Sequence, residues 1–190
     1  ISESGIANDL YKMFHVLFGG VKGGLAIGTM FMMVAISAMN GLSVAGMAIG
    51  ATIALPEMLR RNYDKRMITG VVQAGSSLGI LIPPSVVMVL YGMIARQPVS
   101  KLWMAGILPG LLMAFLFLIY IYVRCKLQPE LGPPLKKEER SVSTLEKIRL
   151  LKAGIIPFLI FFFMTGLFLM GIASLVECSA VGAFLATLAA

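Results

Sequence analysis

Apolar residues fill this chain in long runs, and the points where the runs break carry most of the information. Residues 25–39 form an apolar run of 15 residues. As a helix that is roughly 22 Å long, short of a hydrocarbon core of about 30 Å. The segment Met39-Asn40-Gly41-Leu42-Ser43 interrupts it, and a second small-residue run over 44–55 leads to Pro56-Glu57 and the basic cluster Arg60, Arg61, Lys65 and Arg66. Two short limbs around an uncharged polar tip predict a re-entrant helical hairpin over residues 24–59. An ordinary pair of spans with a short loop satisfies the same charge count, because both arrangements put Lys22 and Arg60 on one side.

The run over 67–95 has the opposite problem. It covers 29 residues, roughly 43 Å if helical, which is longer than one straight span requires. Its middle reads Gly75-Ser76-Ser77-Leu78-Gly79-Ile80-Leu81-Ile82-Pro83-Pro84-Ser85. The prolyl pair removes two backbone donors, so the carbonyls of Gly79 and Ile80 lose their helical partners. In lipid such groups must be buried in protein, wetted or given an ion. The pattern predicts a proline-broken transmembrane helix within residues 60–101. A simple proline kink, with its serines bonded back to the helix, accounts for the same residues.

Elsewhere the pattern is plainer. Ile6, Leu10, Met13, Phe14, Leu17 and Phe18 recur at helical spacing with Asn8, Asp9, Lys12 and His15 between them, predicting an interfacial amphipathic helix and glycine turn over 1–23. His15, the only histidine, reads there as a polar surface residue. Arg96 to Lys101 is a short polar turn. Residues 102–124 form a full span with Trp103 at its start and Tyr120 and Tyr122 near its end, as interface aromatics. A basic loop over 125–152 follows, in which Ser143-Thr144-Leu145-Glu146 offers a helix cap. A further span occupies 153–176, and residues 177–190 begin another. The chain opens at Ile1 and stops within an apolar stretch, so it reads as a fragment.

Composition agrees with a membrane setting. Hydrophobic residues make up 58%, charged residues 13%, and the mean hydropathy is +0.91, too little polar surface to coat a soluble globule. The net charge of +7 sits at the ends of apolar runs, where cytoplasmic anchoring explains it, and no basic-aromatic interleaving suggests nucleic acid. The fold class is therefore an all-α integral membrane, multi-span helical bundle. By the positive-inside rule the loop beginning at Arg124 is cytoplasmic, the turn near Arg96 is outside, and the hairpin opens to the cytoplasm. Cys125 and Cys178 lack metal spacing or a disulfide framework and read as small apolar fillers.

Gly75-Ser76-Ser77-Leu78-Gly79 matches the G-x-S-x-G nucleophile elbow, but that motif needs a strand-to-helix turn and a downstream histidine. Here it lies in an apolar helical run with His15 far upstream. No zinc-protease or Walker motif is present either, so the chain is read as a non-enzyme without a cofactor. A sodium and anion site fits the residues better. The hairpin tip offers Ser37, Asn40, Gly41 and Ser43. The broken helix offers Gly75, Ser76, Ser77, Gly79, Ile80, Pro83, Pro84 and Ser85. Neutral oxygens without a nearby carboxylate suit a monovalent cation, and a half-helix beginning near Ser85 would aim its positive end at an anionic substrate.

Three stretches resemble the large, DctM-like membrane subunit of the tripartite ATP-independent periplasmic (TRAP) transporters. They are Ala54-Leu55-Pro56-Glu57-Met58-Leu59-Arg60-Arg61-Asn62-Tyr63-Asp64, then Gly79-Ile80-Leu81-Ile82-Pro83-Pro84-Ser85 with Tyr91-Gly92, and Ala105-Gly106-Ile107-Leu108-Pro109-Gly110-Leu111-Leu112. The resemblance implies an elevator-type, sodium-coupled importer of small, dicarboxylate-like organic acids in the bacterial inner membrane. It also implies a small membrane subunit as partner and a periplasmic binding protein that delivers substrate. Family members have two inverted repeats, so the second half of the site is expected beyond Ala190. The chain departs from the family at the tip, where Ser-Gly-Ser is usual, and at Ala173-Ser174-Leu175-Val176-Glu177-Cys178, where the family's proline is absent. Two other readings remain open on the residues: a stand-alone sodium-coupled anion carrier and a non-transporting membrane scaffold.

Overall fold

A computed structural model of the chain describes residues 6–134, 159 and 162–189. The described residues are mostly helical, with no strand among them. Helix α1 (Ile6–Phe18) turns through glycines into α2 (Gly24–Asn40). A short turn leads to α3 (Ser43–Ile49), which continues through a π-helical segment, Gly50–Ala54, into α4 (Leu55–Arg60). Helix α5 (Lys65–Ser77) passes through a 3-10 turn, Leu78–Ile80, to an irregular stretch before α6 (Val86–Ala95). Helix α7 (Val99–Leu127) is followed by a 3-10 turn, Pro129–Leu131. A helical segment over 162–169 and α8 (Leu175–Ala189) complete the described chain.

Helix α2 is the centre of the molecule. Met30, Met32, Met33 and Ile36 are at most 1% exposed, which is possible because α1, α3, α5 and α7 surround it. The apolar face of α1 supplies Tyr11, Met13 and Phe14 to this core, and Phe31 stacks on Phe14 and Phe18 with ring centroids 5.7 and 5.0 Å apart. The methionines suit the irregular gaps between helices of unequal length, since the unbranched thioether adapts to its surroundings.

The basic end of the bundle is tied together by polar groups. Asp64 caps α5, its Oδ1 accepting from the N–H groups of Arg66 and Met67 at 2.9 and 3.1 Å. The backbone N–H of Asp64 donates to Leu131 O at 3.2 Å, and that of Gly23 to Gly132 O at 2.9 Å. Gly23 has φ +74° and would place a Cβ 2.6 Å from Cys125 Sγ, so both its conformation and its surroundings require glycine. Tyr63 is buried here and accepts the N–H of Leu25 at 3.3 Å. Burial pushes its phenol well above the ordinary value, keeping it protonated.

Some boundaries differ from those the pattern predicts. The helical run after the Gly41 turn continues through Pro56 to Arg60, with a π-helical segment ahead of the proline. Pro56 has no N–H to offer the preceding turn. Helix α7 begins at Val99, inside the stretch read as a polar turn, and carries Pro109 internally. It is the one helix among the described residues long and apolar enough to cross a membrane. The helix over 162–169 stops at a turn around Gly171, with φ +71°, rather than at Val176. Helix α8 then starts from a capping box: Glu177 Oε2 accepts from Ser174 N and Oγ, both at 2.7 Å, while Ser174 Oγ accepts the N–H of Glu177 at 3.3 Å. The Ser143–Glu146 cap and most of the predicted basic loop lie outside the described residues.

Candidate functional site

The tip of the α2–α3 pair rests on the irregular stretch between α5 and α6. Gly41 ends α2 with φ +64° and donates its N–H to Ser37 O at 2.8 Å, the left-handed cap that glycine provides at low cost. Its carbonyl accepts the N–H of Val86 at 3.2 Å. A Cβ on Gly41 would stand 2.6 Å from Pro84 O and 3.1 Å from Val86 N. The tip and the interruption, 45 residues apart from Gly41 to Val86, are thus in direct backbone contact.

Ser37 lies one turn below the tip and is fully buried. Its hydroxyl has no hydrogen-bond partner, a costly condition for a buried donor and acceptor. Glycines wall it in. A Cβ on Gly79 would meet Ser37 Cβ at 2.6 Å and Ser37 O at 2.9 Å, and one on Gly46 of α3 would run into Ser37 Oγ and stand 3.6 Å from Ser76 Cβ. Gly75 gives the same close approach one turn earlier, 2.5 Å from Met33 Cβ. Three segments therefore converge on Ser37: its own α2, α3 through Gly46, and the 3-10 turn after α5 through Gly79.

The other serines are engaged. Ser76 Oγ donates to Gln73 O at 2.9 Å and Ser77 Oγ to Ala74 O at 2.7 Å, bonds back to their own helix. Ser85 Oγ donates to Ile80 O at 2.6 Å and accepts the N–H of Met88 at 3.3 Å, capping α6. The Ile80 carbonyl, freed by Pro84, is thereby occupied from within the interruption. The Pro83-Pro84 peptide is cis. Ser85 is itself pinned by Trp103 of α7, whose Nε1–H donates to Ser85 O at 3.3 Å. Of the remaining tip residues, Asn40 closes α2 and Ser43 opens α3.

The structure thus brings Ser37, Gly41, Gly79, Pro84 and Ser85 to one place, with Ser76 beside Gly46. It adds four residues that sequence reasoning did not place at the site. Gly46 forms a wall of the Ser37 pocket. Trp103, read as an interface aromatic, holds Ser85. Gly106 gives Leu81 O and Met88 close access to α7, with Gly110 against Ile82. The small-x-x-x-small spacings Gly46 to Gly50 and Gly106 to Gly110 were the available signal for close helix approach.

The chain matches the DctM component of the tripartite ATP-independent periplasmic transporters over residues 1–190. It is 36% identical over 123 residues to a C4-dicarboxylate TRAP transporter large permease protein of Pseudomonas aeruginosa, a match covering 65% of this chain and 29% of that protein. It is 32% identical over 117 residues to the ectoine TRAP transporter large permease protein of Halomonas elongata, covering 62% and 27%. Against the isethionate TRAP transporter permease protein of Oleidesulfovibrio alaskensis the identity is 31% over 122 residues, covering 64% and 19%. The chain therefore spans under a third of the length of these relatives. With a family match from first residue to last, this chain belongs to the DctM component family of the TRAP transporters.

Proposed function

We propose that the chain is part of the permease subunit of a sodium-coupled importer that moves small organic acids across the bacterial inner membrane. In this reading α2 and α3 form a re-entrant hairpin, and α5 and α6 are the halves of a transmembrane helix broken at residues 81–85. Together they make half of an elevator-type transport site. A small membrane subunit and a periplasmic binding protein complete the transporter, and no enzymatic step or cofactor is involved. The relatives named for C4-dicarboxylates, ectoine and isethionate span several small polar substrates, so we assign the class and not the compound.

One observation carries the reading: the buried, unpartnered hydroxyl of Ser37 beneath a tip that bonds to the start of α6. Irregular backbone at membrane depth is tolerated where it is buried in protein or lines a cavity. The surrounding oxygens are neutral, which suits sodium. Ser37, Asn40, Gly41, Ser43, Ser76 and Gly79 would hold the ion. It would supply positive charge near the start of α6, and Ser85 would orient that helix end toward an anionic substrate. Sodium would then favour the packed tip over a separated one, which is how ion binding couples to substrate binding.

Reconstitution of the full-length permease tests the proposal. Uptake is expected only when a sodium gradient, the small subunit and the binding protein are all present. Uptake with sodium alone would favour a stand-alone carrier, and none in any mixture would favour a scaffold.

A further inference from the structure

A second concave region lies between α5 and α7, away from the tip. It has a volume of about 780 Å³, within the ~300–1,000 Å³ of ligand pockets. The two helices run antiparallel along it. Its lining joins Asp64, which caps α5, and Arg66 to Arg124 and Gln128 at the end of α7, and includes the apolar Ala74, Leu116 and Phe117 farther along the two helices. The backbone bond from Asp64 N to Leu131 O, 3.2 Å, closes the polar end. Gly70 contributes an open wall, since a Cβ there would meet nothing within 4 Å. Among the described residues neither Arg66 nor Arg124 is in an ion pair, and the Asp64 carboxylate is already engaged in capping α5.

We propose that this cavity is a binding site for one anionic phospholipid, its phosphate between Arg66 and Arg124 and an acyl chain along Leu116, Phe117 and Met67. The inference rests on the membrane topology proposed above, which puts the basic end at the cytoplasmic leaflet, where anionic headgroups are recognised by basic pockets between helices. The polarity gradient matches an amphiphile lying along the helices. Charge favours an external anion over the chain's own segment 135–158, which carries six basic residues against three acidic ones and would bring like charge to the arginines. The lipid would fill the space separating α5, which continues into the candidate transport site, from α7, whose Trp103 pins that site at the far end.

The test uses the full-length permease with its small subunit, exchanged in detergent with phosphatidylglycerol or phosphatidylethanolamine of identical acyl chains and read by native mass spectrometry. Wild type is expected to retain phosphatidylglycerol in preference. Arg66→Gln with Arg124→Gln should cost about 30-fold in phosphatidylglycerol binding, about fivefold for each cation, and leave phosphatidylethanolamine unchanged. Gly70→Phe, which fills the cavity, should expel both lipids, whereas Lys101→Gln at the opposite end should change neither. Equal retention of the two lipids by wild type, or undiminished phosphatidylglycerol on the double variant, would overturn the proposal. So would displacement by inorganic phosphate at matched ionic strength, which would make this a soluble-anion site. Full cross-linking of Gly70→Cys to Leu145→Cys would overturn it as well, by making the chain's own loop the occupant. The readout is binding and not uptake, so a protein that holds lipid as expected but fails to transport would contradict the transport reading alone.

Discussion

Helices α2 and α6 are both short and apolar, yet they meet opposite surroundings. On α2, Met30, Met32, Met33 and Ile36 are buried to 1% exposure or less, whereas on α6 Tyr91, Met93 and Ile94 are 59%, 64% and 84% exposed. The exposed face continues onto α7 through Leu108 and Phe115. Hydropathy does not separate the two helices, because lipid is as apolar as a protein core. Glycine does. Gly46, Gly50, Gly75 and Gly79 all let neighbouring segments approach α2 at distances a side chain would forbid, and that close packing holds the Ser37 hydroxyl away from any partner. Helix α6 is instead anchored at its start, through Ser85, Val86 and Trp103.

The contrast can be broken from either side. Met33→Ala would empty space against Gly50 and Gly75 and should lower stability by about 2–5 kcal/mol, read as a fall in thermal midpoint of the purified protein. Gly79→Ala should cost about 1–3 kcal/mol, because the new methyl group meets Ser37 backbone as well as side chain. Gly70→Ala on the preceding helix α5, with open space around it, should be neutral or stabilising. Trp103→Phe deletes the donor to Ser85 O while keeping an aromatic ring against Phe168, 4.8 Å away. A loss of about 1 kcal/mol is expected. Ile94→Ala on the exposed face should stay within about 0.5 kcal/mol. An equal loss at Met33 and Ile94 would mean that the two helices are packed alike and would remove the distinction.

How much of this was legible depended on whether the signal was local. Asn40-Gly41 and Pro83-Pro84 announce themselves, since a left-handed glycine and a missing donor end helices wherever they occur. Helix α2 ends at Asn40 and α6 begins at Val86, and the contact between Gly41 and Val86 brings the two interruptions together. The roles of the serines were not legible. Ser37, Ser76, Ser77 and Ser85 look equivalent in sequence, yet three bond to nearby carbonyls while Ser37 does not. What distinguishes Ser37 is its neighbours Gly46 and Gly79, which come from other segments. The Gly50–Ala54 π segment likewise has no clear periodic signature. The Ser174–Glu177 capping box, by contrast, stands openly in the sequence as S-x-x-E.

The central claim is that the buried hydroxyl at Ser37 serves an ion and not the fold. The most direct measurement is the sodium concentration for half-maximal uptake by full-length wild type and Ser37→Ala permease in proteoliposomes, with thermal stability measured without sodium on the same samples. The hydroxyl has no protein partner to lose and is buried at a cost, so the account predicts stability without sodium that is unchanged or raised, and a sodium requirement raised about tenfold, the loss of one contact to a charged group. An unchanged sodium requirement, or a loss of stability without sodium that accounts for any change in uptake, would contradict it.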